Sequence, residues 1–350
     1  MMAIKLSVII PNKNSAKTLK RCLGAVFETL PDSSEVIIVD DASTDDSIEI
    51  AKKFPCKIIS LPNPSGAAVA RNTGAYLAKG KILFFIDSDC IVEEDTFTVG
   101  VKALERVGRG WIIGGTYRPK AEDHSFFSNF QAQFINFFEL KEPDAPDYIA
   151  THLMIMYRED FMKIGGFWSN ELPILEDVEF SHRAKRKGFR LKMVDGLYVR
   201  HIFNFNILRS LKNAFKKSLY WCIYSLKNSD LFSDSGTASI ELKMTSVFYI
   251  FFVLLLAASF LWPGYLIGVV ITLGGAIVIN RGLYKKFYKN HGLLYTIGAV
   301  LYMSFVYPAS VLMGAMLGTV WYLKGSVFKS SIGVSPDTRA KVSDQKGLSQ

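Results

Sequence analysis

The sequence is poor in cysteine. It has four cysteines among 350 residues, at positions 22, 56, 90 and 222, and no two of them form a C-x-x-C pair. Such scattered cysteines argue against a disulfide framework and against a structural zinc site. They fit a protein that stays in a reducing compartment.

Charged residues are missing from one long stretch. Between Met244 and Asn280 there is no Asp, Glu, Lys or Arg, and about 20 apolar residues are enough for a helix to cross a bilayer. The sequence therefore predicts an integral membrane protein. Pro263 and Gly264 divide the run into two spans, about 245–262 and 265–280, which we interpret as a helical hairpin.

The chain start also lacks the core of a signal peptide. Met1 to Pro11 contains one Lys and only a short apolar run, so we expect the N-terminal domain to be cytoplasmic, at the cell membrane if the organism is prokaryotic. The net charge of +9 raises the question of nucleic acid. Because much of the basic excess lies beside apolar segments, anionic lipid is the simpler partner, and no nucleic-acid partner is predicted.

The first 200 residues alternate short apolar runs with amphipathic helical patterns. The predicted strands are Leu6–Ile10, Val36–Val39, Lys57–Leu61, Ile82–Ile86 and Trp111–Tyr117. Strands that alternate with helices in this way imply right-handed crossovers and an α/β fold with a mostly parallel, Rossmann-like sheet.

Two carboxylates follow the most apolar of these strands. Asp87 and Asp89 stand one residue apart, at the strand end where open α/β sheets bind ligands. Paired carboxylates can hold Mg²⁺ together with the phosphates of a substrate. The alternative is an ordinary Asp-Ser-Asp turn, since these residues favour turns whatever the function.

Further charged residues lie at comparable positions. Asp40 and Asp41 end the second strand, where a nucleotide's base or ribose is expected. Arg71 lies one turn inside a helix that begins near Gly66, and can face a phosphate. Glu176 and Asp177 begin a later helix, whose dipole alone favours a carboxylate there. A carboxylate in such a position can also act as a general base.

Six motifs together resemble the family 2 glycosyltransferases of GT-A fold, over roughly residues 5 to 205. A set in this order is far more specific than any one member. The motifs are Ser7-Val8-Ile9-Ile10-Pro11, the segment Val36 to Ser47, Ala70-Arg71-Asn72-Thr73-Gly74, Asp87-Ser88-Asp89, Gly165-Gly166-Phe167 and Glu176-Asp177.

The resemblance implies roles for individual residues. Pro11, Asp41 and its neighbour Asp40 would lie against the nucleotide base, and Arg71 would face the nucleotide. Asp87 would contact the ribose or the metal, and Asp89 would bind the Mg²⁺ or Mn²⁺ that bridges the diphosphate. Asp177 matches the catalytic base, with Glu176 as its partner. His201 resembles a histidine that approaches the metal or the diphosphate.

One feature of processive synthases in this family is missing. We find no Gln-x-x-Arg-Trp between Asp177 and the first membrane segment, which favours transfer of a single sugar over polymer synthesis. The resemblance also leaves open a polyprenyl-phosphate acceptor, for which a base is superfluous because the phosphate is already ionised.

The sequence after the catalytic domain, residues 1–204, divides into three parts. Residues 205–243 contain an amphipathic helix with a basic face, which fits either the membrane interface or an ordinary helix docked on the catalytic domain. In the membrane region, 244–323, the stretch 293–323 contains Pro308 and fits a third span or a re-entrant or interfacial hairpin. Residues 324–350 form a polar tail.

A phenylalanine-rich helix precedes these parts. Its aromatic residues share one face, which suits core packing, an acceptor site or membrane contact. They are Phe126, Phe127, Phe130, Phe134, Phe137 and Phe138.

The expected function is that of an inverting, metal-dependent glycosyltransferase in the synthesis of cell-envelope glycans. It would move one sugar from a nucleotide-diphosphate sugar to a lipid-linked or glycan acceptor at the cytoplasmic membrane face. A membrane scaffold that binds a nucleotide without catalysis is the alternative from another class.

Overall fold

A computed structural model describes residues 5–168, 172–231 and 233–331. Its single sheet has eight strands in the order β3-β2-β1-β4-β7-β6-β8-β5. The strands are β1 Leu6–Asn12, β2 Ser34–Asp40, β3 Lys57–Ser60, β4 Ile82–Ile86, β5 Cys90–Val92, β6 Trp111–Tyr117, β7 Leu153–Tyr157 and β8 Arg190–His201.

The N-terminal half of the sheet is parallel. β1 pairs in parallel with both β2 and β4, and β2 pairs in parallel with β3. β7 is antiparallel to its neighbours β4 and β6, β8 is parallel to β6, and β5 is antiparallel to β8. The expected α/β fold with a mostly parallel sheet is confirmed.

Helices cover both faces of the sheet in the catalytic part. They are α1 Ala16–Thr29, α2 Ser47–Ala51, α3 Ala67–Leu77, α4 Thr96–Val107, α5 Phe126–Glu139, α6 Arg158–Ile164 and α7 Glu176–Arg186. Successive side chains of a strand point to opposite faces. Phe84 accordingly packs in one core with α1, α4 and α5, and Phe85 in the other core with α3, α6 and α7.

Beyond the five predicted strands listed above, only a late strand before Val199-Arg200-His201 was expected, which corresponds to β8; β5 and β7 are absent from the sequence prediction. β7 crosses the sheet in the direction opposite to β4, and an antiparallel strand needs no crossover helix to mark it. β5 has only three residues, which is too few to show a pattern.

The aromatic face of α5 is packed inside the protein. Phe130, Phe134 and Phe138 are buried, and Phe130 lies 4.9 Å between ring centroids from Tyr302 and 5.4 Å from Phe287. Of the three predicted possibilities, core packing therefore applies to these residues. The core that they fill joins the catalytic part to the C-terminal helices.

The C-terminal part is helical. Its helices are α8 Ile207–Asn228, α9 Ile240–Ala258, α10 Leu266–Ile279, α11 Arg281–His291, α12 Leu293–Leu301 and α13 Tyr307–Ser331. A 3-10 turn, Pro263–Tyr265, precedes α10, and a π-helical turn, Tyr302–Val306, joins α12 to α13. The basic segment that follows the hairpin, residues 281–291, is a helix and not the loop expected between two membrane segments. Its apolar residues Leu283, Tyr284 and Phe287 are buried and hold it as a helix.

Within the described ranges, two helices are long and apolar enough to cross a membrane. They are Ile240–Ala258 and Leu293–Gly325. The pair Pro263–Ile279 and Arg281–His291 also has the composition of a span, but it bends by 65° at its break. α13 ends at Ser331 and so extends beyond 323; most of the predicted polar tail, 332–350, lies outside the described residues.

Candidate active site

The predicted site residues come from neighbouring strands of the sheet. Because β1, β2 and β4 are parallel, their carboxyl ends meet at one edge. Asp40 ends β2, and Asp41 follows it. Asp87 and Asp89 follow β4 at the same edge. This is the edge at which open α/β sheets bind ligands.

Asp40 is used within the protein. It is 1% exposed and accepts hydrogen bonds from Asn12 Nδ2 at 2.6 Å, from Ser43 N at 2.9 Å and from Ser43 Oγ at 2.5 Å. Pro11 is buried within β1 beside it, opposite Val39. Asp40 therefore fixes the loop after β2 by joining it to the end of β1.

Asp41 holds the loop that leads into α3. Its carboxylate accepts hydrogen bonds from the backbone N–H groups of Ser65 and Gly66, and from Lys13 Nζ at 3.0 Å. Burial raises the pKa of Asp41, but these hydrogen bonds outweigh burial and hold the pKa below its ordinary value. Asp41 is thus an anion that anchors the loop 62–66 at this edge of the sheet.

Arg71 lies between two of the predicted acids. It is 4% exposed, and its Nη1 donates to Glu176 Oε1 at 2.6 Å while its Nη2 donates to Asp87 Oδ1 at 2.6 Å. Its Nε has no partner in the described part of the chain. One guanidinium thus joins the end of β4 to the start of α7, two segments far apart in the sequence.

Arg71 controls the ionisation of Asp87. Burial raises the pKa of Asp87, but the neighbouring Arg71 prevails and holds the pKa below its ordinary value. Asp87 is therefore ionised, and Arg71 balances its negative charge.

The pKa of Asp177 is shifted in the opposite direction. Burial raises the pKa of Asp177 to about 6; repulsion from Glu176 adds to this, and attraction to Arg71 opposes it. A carboxyl group with a pKa near the operating pH can accept a proton efficiently in a transition state. Asp177 therefore has the ionisation that a general base requires.

Asp89 and His201 form the part of the site that can hold a metal ion. Asp89 follows β4, His201 ends β8, and His201 Nε2 lies 3.4 Å from Asp89 Oδ1. With Cys90 Sγ these ligand atoms all lie within 4.8 Å of one another. Two ligands on adjacent corners of an octahedral Mg²⁺ or Mn²⁺ site are about 3 Å apart, so Asp89 and His201 fit such an ion.

Cys90 does not suit the same ion. Burial raises the pKa of its thiol well above the ordinary value, and the charge of Asp89 adds to this effect. A protonated thiol is a poor ligand, and hard cations prefer oxygen.

His152 is a residue near the site that the sequence analysis missed. It is buried, stacks on Tyr117 with ring centroids 4.0 Å apart, and its Nε2 lies 3.4 Å from Glu139 Oε2. Burial lowers the pKa of His152, but attraction to Glu139, Asp87 and Asp177 raises it above the ordinary value. Only its position directly before the apolar run 153–157 marked it in the sequence.

Two of the sequence motifs meet at the back of the site. Asn72 Nδ2 donates to Phe167 O at 2.8 Å, and Phe167 N donates to Asn72 Oδ1 at 2.8 Å. Gly166 has φ +66°, and a Cβ there would lie 2.7 Å from Asn72 Oδ1. The glycine is therefore required by the close approach of α3, which carries Arg71.

The sheet order and this group of acids fit a glycosyltransferase of GT-A fold. Residues 7–165 match the sequence model of the family described as Glycosyl transferase family 2. This part of the chain is a family 2 glycosyltransferase domain, which confirms the family inferred from the six motifs.

Similar proteins agree with this assignment. Glycosyltransferase AglE of Haloferax volcanii is 32% identical over 200 residues, which are 53% of this chain and 63% of that protein. Glycosyltransferase GlyG of Streptococcus pneumoniae is 31% identical over 131 residues, 36% of this chain and 44% of that protein. The matches thus span less than two thirds of the length of either relative.

The fold has a solved counterpart. Mannosyltransferase PcManGT from Pyrobaculum calidifontis, solved in complex with GDP-Man and Mn²⁺, superposes with a TM-score of 0.56 at 17% sequence identity, covering 91% of this chain and 87% of that one. At this identity the likeness concerns the fold.

Proposed function

We propose that the protein is an inverting, metal-dependent glycosyltransferase that moves one sugar from a nucleotide-diphosphate sugar to a lipid-linked acceptor at the cytoplasmic face of a membrane. The observation that carries this proposal is the Arg71 bridge, with Nη–O distances of 2.6 Å to both Asp87 and Glu176. It brings the metal-side acids after β4 next to the pair Glu176 and Asp177. Donor and acceptor chemistry can therefore take place in one cleft.

The nucleotide would lie along the carboxyl ends of β1, β2 and β4. Asp41 and the loop 62–66 would border the base, with Pro11 and Asp40 supporting them from below. Asp89 and His201 would hold Mg²⁺ or Mn²⁺. When bound, such an ion neutralises diphosphate charge. The imidazole nitrogen of His201 is a softer ligand than oxygen, which favours Mn²⁺ over Mg²⁺.

Asp177 would act on the acceptor. Above about pH 6, the pKa of Asp177, its carboxylate can take the proton of an acceptor hydroxyl as that oxygen bonds to the anomeric carbon. The bond from the same carbon to the diphosphate oxygen breaks on the opposite face, which inverts the configuration, and the nucleoside diphosphate leaves with the bonding electrons. General-base help of this kind contributes on the order of 10²–10⁴-fold.

Arg71 would act indirectly. Both of its terminal nitrogens already bond to carboxylates, so it would set the position and charge of Asp87 and Glu176. Its expected contact with the nucleotide remains a prediction, made from the resemblance.

The hairpin of α9 and α10 would anchor the protein in the bilayer. Large apolar side chains are exposed along both helices and the turn between them, including Leu254, Phe260, Ile267 and Val270. Asn280 Nδ2 donates to Thr245 Oγ1 at 2.6 Å, so the hairpin returns to the side on which α9 begins. On this side α11 exposes Lys285, with other basic residues, to anionic headgroups.

The helix α12–α13 would lie along the bilayer surface. Ser310 Oγ donates to Leu211 O and Ser218 Oγ donates to Val311 O, both at 2.7 Å, so α13 packs directly on α8. The opposite face of α8 exposes Arg209 and Lys212, which are costly inside hydrocarbon. Of the two predicted arrangements of 293–323, we therefore favour the interfacial one.

The test is sugar transfer in membranes that contain the full chain. Radiolabelled nucleotide sugars are supplied as a panel with Mn²⁺ or Mg²⁺, and label is counted in the lipid extract. We expect one donor to label lipid, with loss of label in Asp89→Asn and Asp177→Asn. Glu94→Gln, which changes an exposed acid just after β5, serves as the matched control. A scaffold without catalysis is supported instead if neither substitution reduces the label, and the proposal fails if no donor labels lipid.

A further inference from the structure

A second cavity lies between the catalytic part and the membrane helices. Its volume is about 250 Å³, and its lining comes from α5, α8, α9, α13 and the segment between α8 and α9. Pockets that enclose a whole drug-sized ligand measure roughly 300–1,000 Å³. This cavity therefore suits part of a longer molecule.

Most of the lining is apolar, and part of it faces outward. Val247 and Ile250 of α9 line the cavity and are 41% and 43% exposed on the helix that we place in the bilayer. A hydrocarbon chain that entered the cavity between these residues would remain continuous with the bilayer. Burying each CH₂ of such a chain favours binding.

Three polar side chains in this lining lack a full set of hydrogen-bond or ion-pair partners. Lys217 forms no hydrogen bond or ion pair, and Lys243 bonds only to a carbonyl, Ser233 O at 2.5 Å, among the described residues. Gln131 is 2% exposed, and its Oε1 has no partner there. Buried polar atoms without partners are costly, and unpaired cations attract an anion.

Lys217 also interacts electrostatically with acids of the catalytic part. Burial lowers the pKa of Lys217, and the acids that oppose this effect are Glu139 and Asp177. Glu139 ends the same helix, α5, that places Gln131 in the cavity. An anion next to Lys217 would therefore be within electrostatic range of the group that we assign as the base.

We infer that this cavity binds the lipid phosphate of the acceptor, with an isoprenoid chain between α8, α9 and α13 and the phosphate at Lys217 and Lys243. Gln131 then bonds to a phosphate hydroxyl or to the first polar group after the phosphate. This inference rests on the proposed transfer to a lipid-linked acceptor and names the chemistry of that acceptor.

The experiment is photolabelling of the full chain in detergent, without a sugar donor. The probe is a short isoprenyl phosphate that carries a diazirine, and the comparison probe is the neutral isoprenol with the same diazirine. We expect the phosphate probe to label peptides of α8, α9 and α13 much more strongly than the alcohol. Lys217→Met should weaken this labelling by about ten- to a hundredfold, the effect of a lost charged hydrogen bond.

Matched variants test whether labelling depends on the cavity itself. Ala315→Phe fills the cavity from α13 and should abolish labelling, whereas Met316→Phe, whose side chain is 68% exposed, should not. Lys216→Met on the exposed face of α8 is the control for Lys217→Met. If Ala315→Phe lowers the unfolding temperature, Ser246→Leu on α9 fills the same cavity.

Three results would overturn the inference. They are equal labelling by the phosphate and the alcohol, equal labelling of Lys217→Met and the wild type, and competition by phosphatidylglycerol as effective as that by unlabelled isoprenyl phosphate. Because no donor is present, labelling does not depend on sugar transfer. A protein that labels as expected but transfers no sugar contradicts the proposed function alone, and a protein that transfers sugar without this labelling contradicts only the lipid site.

Discussion

Substituting Arg71 by methionine should destabilise the protein strongly. The methionine keeps most of the apolar volume but removes both 2.6 Å bonds, leaving Asp87 and Glu176 without a cation. Removing one partner of a buried ion pair costs about 3–5 kcal/mol, because a buried charge is left uncompensated. We expect a loss of this size in the free energy of unfolding, measured by denaturation of the detergent-solubilised full chain.

A second substitution tests whether electrostatics is the cause. In Arg71→Met/Glu176→Gln one of the two unpaired carboxylates is gone, so part of the lost stability should return, with a coupling of about 0.5–3 kcal/mol. Arg109→Met, which breaks the exposed pair with Glu159, should leave the unfolding midpoint almost unchanged. If the double variant is no more stable than Arg71→Met, or if Arg71→Met unfolds like the wild type, the bridge does not hold the site together.

Three other predictions address the base, a motif and the membrane hairpin. Because the pKa of Asp177 is about 6, transfer should fall as pH drops below about 6 and the carboxylate is protonated; transfer that does not decline below pH 6 would contradict this role. Gly166→Ala should lower the denaturation midpoint more than Gly188→Ala, since both have positive φ but only the first meets Asn72; equal losses would contradict this. Leu261→Cys, at the exposed tip after α9, should react with an impermeant thiol reagent only from the side of a sealed membrane opposite the catalytic part. Reaction from the side of the catalytic part would contradict the hairpin.

Much of the catalytic fold follows from local pattern. The strands β1, β2, β4 and β6 are continuous apolar runs, because both faces of the sheet are covered, and such runs are visible in a sequence. β7 is also apolar, but nothing local indicates that it pairs antiparallel with β4. Its place depends on contacts between residues far apart in the chain.

The candidate site is predictable to a similar degree. Each acid at a strand end is visible in the sequence, since the position of the residue is enough to suggest a role. The partners of these acids are not visible. Arg71 was expected to face the nucleotide, yet it bonds to Asp87 and Glu176, and His152 showed no pattern. Lys217 counted as one of several basic residues on an amphipathic helix, because its burial depends on α5 and α13.

The site is held in an arrangement that opposes folding. Asp177 has a pKa of about 6 instead of 3.8, and each tenfold change in the ionisation constant corresponds to about 1.4 kcal/mol. Keeping this carboxylate ionised at neutral pH therefore costs the folded state about 3 kcal/mol, a cost that disappears below the unfolded pKa, where the carboxyl is protonated in both states. The hydrogen bonds of Arg71, Asn72 and Asp41 connect this region to the sheet and offset that cost. Stabilising bonds thus lie in the supporting residues, while the carboxylate that we assign to chemistry stays destabilised and free to take a proton.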